Sequence, residues 1–274
     1  MNEISLVAEH LFSIGGFNVT NSILTTAVIS VVIIVLAFVV HRKMTSSKKI
    51  SKTQSGLELF IEGSFSVMDS VTNDDKLSRR FFALVMTLFI VILLSNWSGL
   101  IPGFGPIGIY EQKQVSEEVA TTTEATQQDQ SVVEPAEQEH AHEVFIPIFR
   151  GPSSDLNTTF ALAIISLISF QVFGIAALGI FKYAGKFLNF KSPVGFFVGI
   201  LEIISEIAKM ISLSFRLFGN IFAGEVLLLV MAFLVPLIAP LPFFGLEIFV
   251  GLIQAFIFAM LTLVFLRIAS MKPH

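Results

Sequence analysis

The sequence contains no cysteine and few charged residues. Its 274 residues are 54% hydrophobic and only 14% charged, whereas soluble domains carry about 25% charged residues. Without thiols the chain can form neither disulfide bonds nor thiolate metal sites. It also lacks the glycine-rich loop that cradles nucleotide phosphates. The low charged fraction and the high hydrophobic fraction exclude a soluble globular domain. We expect the lipid bilayer as a partner, and no nucleic acid, metal or cofactor.

Five apolar segments are long enough to cross a bilayer, which takes about 20 residues. They are residues 22–41, 80–100, 157–182, 194–235 and 243–269. As a helix, the fourth would measure about 63 Å against a hydrocarbon core of about 30 Å, so it must tilt steeply, bend or begin outside the bilayer. A short turn predicts that the last helix runs antiparallel to it. The sequence therefore predicts an all-α integral membrane protein.

Residues 57–68 have apolar positions at helical spacing and are only moderately hydrophobic. Two interpretations stay open: an amphipathic helix on the inner membrane interface, or a short helix packed against the rest of the protein.

Basic residues cluster after the first and third spans, before the second and after the last. The positive-inside rule then places the N-terminus outside and the C-terminus in the cytoplasm.

The connection between the second and third spans is acidic. Residues 111–143 contain nine acidic residues, one lysine and few large apolar side chains. Such a segment cannot bury a core, and we expect a disordered loop outside the membrane. His140, His142 and Glu143 could together bind a metal weakly, but a solvated linker is the better interpretation.

Arg216 is a permanent cation within an apolar segment. Its guanidinium stays protonated at any accessible pH, and an arginine at the bilayer centre costs about 2.5–3.5 kcal/mol on insertion scales. An intramembrane charge of this kind predicts a functional site. Ser212, Arg216 and Asn220 recur every four residues and form one stripe on a helix. Glu225 is about 13.5 Å further along and half a turn around, so it cannot pair with Arg216 on a regular helix.

Other polar residues flank Arg216 on both sides. On the outer side are Glu225 and Glu247, with Asp155 and Asn157 at the start of the third span. Gln254 shares a face with Glu247 and can come level with Asn220 or Arg216. Glu202 and Glu206 lie on the inner side. The pattern indicates two half-paths separated by one cation, because carboxylates relay protons and the arginine repels cations and prevents a direct leak.

Each of these residues also has a structural interpretation that stays open. Glu202, Glu206 and Glu247 can be interfacial charges. Asn220 and Gln254 can be interhelical hydrogen-bonding residues, which are common in membrane bundles. Gly219, Ala223 and Gly224 are interpreted as positions where another helix approaches closely.

Four motifs resemble a known family, subunit a of the F-type ATP synthase membrane sector. They are Arg-Leu-Phe-Gly-Asn-Ile-Phe-Ala-Gly-Glu at 216–225, Gln-Ala-Phe-Ile-Phe-Ala-Met-Leu-Thr at 254–262, Asn-Trp-Ser-Gly-Leu-Ile-Pro-Gly at 96–103 and Pro-Ser-Ser-Asp-Leu-Asn at 152–157. The match runs from about residue 93 to the C-terminus, with the same order and spacing. The acidic loop is not part of the family pattern, and the outer pair here is two acids, so no histidine relay is available.

The resemblance implies a stator subunit of a rotary complex in a bacterial inner membrane, coupling proton movement to ATP synthesis without catalysing nucleotide chemistry itself. Its partners would be a ring of proteolipid c subunits, whose carboxylate meets Arg216, and peripheral-stalk b subunits. The long fourth segment would lie nearly in the membrane plane. The implied outer half-channel residues are Glu225, Glu247, Asp155, Asn157 and Asn220. Gln254 would pack beside Arg216, and Ser212, Glu202 and Glu206 would serve the inner half-channel.

The sequence disfavours two other classes of function. A stand-alone ion channel or secondary transporter is disfavoured because the sequence has no internal repeat. An intramembrane protease is disfavoured because the spans lack a Ser–His or His-Glu-x-x-His arrangement. The sequence leaves open whether the transported ion is H⁺ or Na⁺.

Overall fold

The computed structural model describes residues 9–14, 16–46, 52–101, 107–113, 142–187, 192–236 and 238–271. Within these ranges the chain forms seven α-helices. They are α1 (Asn21–Ser46), α2 (Lys52–Thr72), α3 (Asp75–Ser98), α4 (Leu156–Leu178), α5 (Ile180–Phe187), α6 (Pro193–Leu234) and α7 (Pro240–Ser270). Five of them, α1, α3, α4, α6 and α7, are long and apolar enough to cross a membrane. The predicted all-α, multi-pass membrane fold is confirmed.

Two ends of the helical bundle are defined by contacts between distant parts of the chain. At the first, which we call the Trp97 end, the Trp97 Nε1 donates to the Ile248 carbonyl at 3.0 Å and Asn96 Nδ2 donates to the Gly251 carbonyl at 2.9 Å. At the second, the Arg267 end, the Arg267 guanidinium donates to the carbonyl of Val71 near the end of α2. These bonds fix α7 against α3 at one end and against α2 at the other.

The core lies between α3, α4, α6 and α7. Near the Trp97 end it contains fully buried apolar side chains from all four helices, including Ile92, Ala163, Leu217 and Phe258. Towards the Arg267 end a second cluster adds Met68 of α2 to residues of α3, α4 and α7. By contrast, α1 is buried mainly at its start, where Asn21, Ser22 and Thr25 are inaccessible, and its later apolar residues are exposed.

The long helix α6 is continuous over 42 residues and runs antiparallel to α7. Contacts between the two helices progress in opposite directions along their sequences: Gly224 lies against Glu247, Asn220 against Gln254, and Lys209 against the ring of Phe265. The predicted antiparallel pairing is therefore present. Because the helix is continuous over these residues, its excess length must be absorbed by tilt, by a gradual bend or by extension beyond the bilayer.

The third span ends earlier than predicted. Its helix was expected over residues 157–182, but α4 stops at Leu178, where Gly179 adopts φ +82°, a conformation that glycine tolerates without steric penalty. The chain then reverses into α5. The ring of Tyr183 packs so closely on Gly174 that a Cβ there would lie 2.5 Å from Tyr183 Cε2. Glycines at the turn and at the contact thus allow α5 to fold back.

The connection between α3 and α4 contains paired strands at its edges. Strand β3 (Gly108–Lys113) pairs antiparallel with β4 (His142–Pro147), and a second hairpin joins β1 (His10–Ile14) to β2 (Phe17–Thr20) before α1. The loop predicted over 111–143 was therefore too wide, because β-branched and aromatic residues flanking the acidic stretch favour strands. Residues 114–141, which include His140, lie outside the described residues.

The moderately apolar segment forms α2, a longer helix than the predicted 57–68. Met68 is 2% exposed and packs with Phe81 of α3 and Leu266 of α7. The side chain of Asp74 then caps α3 by accepting from the backbone N–H groups of Lys76 and Leu77. Packing against the bundle is thus observed, and the position of α2 relative to the membrane interface stays a prediction.

Candidate ion-translocation site

Arg216 projects from the exposed face of α6. That helix buries Leu213, Leu217 and Ile221 against the bundle, so the stripe with Ser212 and Arg216 faces outward. The guanidinium makes a hydrogen bond of 3.4 Å, which Nη2 donates to Ser212 Oγ. Around it the exposed face carries small residues, which are Ser205, Ser212, Gly219 and Ala223. The Arg216 guanidinium therefore lies on a surface that another helix can approach closely.

Asn220 and Gln254 join α6 to α7 one turn beyond Arg216. Asn220 Nδ2 donates to Gln254 Oε1 at 2.9 Å, and Gln254 is 3% exposed. The structure thus brings together two residues that the sequence placed at the same level. The bond fixes the register of the two helices beside the arginine.

Glu225 lies at the Trp97 end, away from Arg216. Its carboxylate sits beside two glycines: a Cβ at Gly151 would be 3.3 Å from Oε1, and one at Gly99 would be 3.6 Å away. Arg150 and Ser154 are the nearby groups that interact electrostatically with it, and Arg150 Nε donates to Ser154 Oγ at 3.2 Å. The residues just after α3 and just before α4 therefore form a polar pocket around this carboxylate.

Glu247 of α7 occupies a notch in α6. The notch exists because residue 224 is glycine, and a Cβ there would lie 1.1 Å from Glu247 Oε1. Glu247 is 9% exposed and interacts electrostatically with Glu225. The structure therefore places these two predicted carboxylates together. Gly224 is thus a position where another helix approaches closely, as expected: that helix is α7, and the group accommodated is the Glu247 side chain.

Asp155 has a structural function, and its role in a half-channel stays a prediction. It caps α4 by accepting from the backbone N–H of Asn157 at 3.0 Å, and its other oxygen accepts from Ser22 Oγ of α1 at 2.7 Å. With 4% exposure it fixes the start of α1 to the start of α4. Asn157 itself is exposed at the same end of the bundle.

Glu206 lies near the Arg267 end in a hydrogen-bonded chain from three helices. It is 6% exposed and accepts from Gln171 Nε2 of α4, while Gln171 Oε1 accepts from the hydroxyl of Tyr183 on α5. Burial, and then the charges of Glu206 and Glu202, raise the pKa of Tyr183 to about 12. Tyr183 therefore keeps its proton and acts as the donor. Glu202 is the second predicted acid near this chain.

The carboxylates and the arginine are spread along α6. At 1.5 Å per residue, Glu206 and Glu225 lie about 15 Å and about 13.5 Å from Arg216, on opposite sides along the helix axis. Neither contacts the guanidinium. The arrangement provides proton-accepting groups at both ends of the bundle and a fixed cation between them. No cluster of three or more His, Asp or Glu residues suited to a metal occurs among the residues described.

Sequence reasoning missed several residues of these clusters. They are Arg150, Ser154, Gln171 and Tyr183. Gln171 could have been identified from the sequence, because an amide side chain within a membrane span needs a hydrogen-bonding partner. The other three lie outside the spans, and only the folding back of α5 and of the segment before α4 brings them to the carboxylates.

Comparison with known proteins places the chain in a family. The family described as ATP synthase A chain matches residues 23–267. Relatives called ATP synthase subunit a include those of Campylobacter concisus, 32% identical over 87% of this chain and 84% of the relative, and Campylobacter fetus subsp. fetus, 30% identical over 97% and 96%. That of Moorella thermoacetica is 28% identical over 93% of both chains. The chain therefore belongs to the ATP synthase subunit a family.

Proposed function

We propose that this chain is the proton-translocating stator subunit of an F-type ATP synthase and that Arg216 is its coupling residue. Family membership supports the general function. The subunit is not itself catalytic, since nucleotide chemistry belongs to other subunits of the complex. The residue assignments rest on the geometry of α6 and its neighbours.

The observation that carries the proposal is the exposure of Arg216 on a face of small residues. A permanent cation facing lipid would cost about 2.5–3.5 kcal/mol, and one bond of 3.4 Å to a neutral hydroxyl offsets little of this. An anionic group from another subunit would offset it. The partner that fits is a ring of small c subunits, each presenting a membrane carboxylate, which Arg216 would hold ionised as it passes.

Protons would reach this face by two separate half-paths. Glu247 and Glu225, with Asp155, Asn157 and Asn220, would serve the path from the Trp97 end. Glu206, Glu202 and Ser212 would serve the path from the Arg267 end, and Gln254 would support Asn220 beside the arginine. Because Arg216 repels cations between the two paths, a proton crosses only when a ring carboxylate carries it around.

The orientation and remaining partners follow from charge distribution and family. The positive-inside rule places the Arg267 end and the C-terminus in the cytoplasm and the N-terminus outside. The membrane would be the bacterial inner membrane. Peripheral-stalk b subunits would hold the chain against rotation, and the exposed apolar length of α1 leaves area for such contacts.

Cross-linking tests the proposed ring contact. The chain has no cysteine, so single cysteines give an unambiguous readout. We expect Ser205→Cys and Ala223→Cys, both on the Arg216 face, to form disulfides with cysteines introduced into a proteolipid of the ring. The measurement is the appearance of an adduct of the two subunits on non-reducing gels.

Val35→Cys is the matched control, because this α1 residue is 53% exposed but lies on another helix. It should give no proteolipid adduct. Adducts at Val35→Cys without any at the two α6 positions would contradict the proposed docking face.

A further inference from the structure

The Arg267 end contains a chain of hydrogen bonds that the half-path described above does not require. It runs from Tyr183 through Gln171 to Glu206 and links α5, α4 and α6. Tyr183 is 4% exposed and Glu206 is 6% exposed. Its members are buried polar groups from three helices. Burying such groups costs free energy unless their donors and acceptors are hydrogen-bonded. The short α5 reaches this position only because Gly179 reverses the chain.

We propose that Gln171 and Tyr183 are positioning residues that orient Glu206 and favour its ionised form for proton exchange with the Arg267 end. This inference rests on the proposed function. An ionised carboxylate only accepts hydrogen bonds, so Gln171 must turn its N–H group toward Glu206. The Tyr183 hydroxyl then satisfies the amide oxygen. The pKa of Tyr183, about 12, keeps that hydroxyl a donor at physiological pH.

The hydrogen bonds of Tyr183, Gln171 and Glu206 have a second arrangement when Glu206 is protonated. Glu206 then donates to the amide oxygen of Gln171, the amide rotates, and its N–H group donates to the Tyr183 oxygen. When the carboxyl proton leaves to water at the Arg267 end, the amide rotates back and its N–H meets the new carboxylate. One proton moves, and otherwise only hydrogen bonds rearrange. Gln171 thus responds to the protonation state of Glu206.

Other charged groups also lie towards this end of the bundle. Glu202 and Lys209 lie on α6 itself, and Lys209 Nζ is 5.4 Å from the centroid of the Phe265 ring. Arg267 of α7 donates to the Val71 carbonyl. Arg80 of α3 lies over the ring of Phe173, with 5.2 Å from its Cζ to the ring centroid. The hydrogen bond that the Gln171 amide oxygen accepts comes from Tyr183 and not from any of these groups. This bond is the specific contribution of Tyr183.

The test is the dependence of ATP-driven proton pumping on cytoplasmic pH, measured with the intact complex in inverted membrane vesicles. Tyr183→Phe removes the hydroxyl but keeps the ring that packs on Gly174 and Phe187. Below the midpoint of the pH profile we expect pumping to fall about fivefold, the effect of losing one buried hydrogen bond, with little change well above the midpoint. Because the ionised form loses support, the midpoint of the pH profile should move about 0.7 unit to higher pH.

Gln171→Leu should shift the profile in the same direction and further, because it removes the donor to Glu206 entirely. Ser169→Ala is the matched control, since the hydroxyl of this α4 residue donates to the carbonyl of Ile165 on the same helix and is not part of the network. It should leave the profile unchanged. A purely structural role would lower the amount of assembled complex without moving the midpoint.

Unshifted profiles in both Tyr183→Phe and Gln171→Leu would overturn the inference. Arg216→Ala, assayed in the same vesicles, separates this outcome from failure of the proposed function. If Arg216→Ala abolishes pumping while the two network variants keep the wild-type midpoint, only the positioning role is wrong. If Arg216→Ala pumps normally, the proposed function itself fails.

Discussion

Replacing Arg216 with alanine should abolish coupled proton pumping while leaving the complex assembled. We expect a loss of about 100-fold or more, the scale seen when a preorganised electrostatic group is removed from a reacting centre. The fold should tolerate the change, because the side chain is exposed and its hydrogen bond to Ser212 is a long one of 3.4 Å. The measurement is ATP-driven acidification of inverted vesicles, normalised to assembled complex.

Arg216→Lys tests which property of the arginine matters. A lysine can lose its proton when desolvated, whereas an arginine cannot. We therefore expect the lysine variant to fail as well, although it preserves a positive charge in water. Ser212→Ala removes the local hydrogen bond and one hydroxyl of the proposed inner half-path, and it should reduce pumping far less than either arginine variant. Robust pumping by Arg216→Ala would show that the residue is structural.

Gly224→Ala should have the second largest effect. The new Cβ would overlap the Glu247 carboxylate, since the two positions are 1.1 Å apart, so Glu247 must leave its notch. Displacing a group by about 1 Å can reduce a reaction about 100-fold, and we expect pumping to fall at least about tenfold. The measurement is again pumping per assembled complex.

Two further variants isolate the cause of this loss. Gly245→Ala is the matched control: a Cβ there meets nothing within 4 Å, and alanine favours the helix. It should pump normally. Adding Glu247→Asp to Gly224→Ala shortens the acid by one methylene and should restore part of the activity. Full activity of the single Gly224→Ala variant would mean that the position of Glu247 is unimportant.

The sequence predicted the spans because their apolar lengths exceed anything a soluble core requires. It also predicted that Arg216 and Glu225 lie on different faces, since nine residues of helix rotate the chain by half a turn. Both statements depend only on helix geometry and composition. The antiparallel pairing of α6 with α7 followed from the short turn between them.

The sequence was less informative where the chain leaves regular helix. Gly179 ends α4 early, and neither composition nor periodicity indicates that α5 returns to place Tyr183 on Gln171. The pocket around the Glu225 carboxylate depends on Gly99 and Gly151, which approach each other from distant parts of the chain. Such contacts arise from tertiary packing, and short-range patterns do not encode them.

Side-specific labelling tests the central claim, two half-paths that open at opposite ends of the bundle. Because the chain lacks cysteine, Glu247→Cys and Glu206→Cys each introduce one thiol into the assembled complex. A membrane-impermeant thiol reagent should label Glu247→Cys only from outside and Glu206→Cys only from the cytoplasmic side. Labelling of both from the same side would contradict the account.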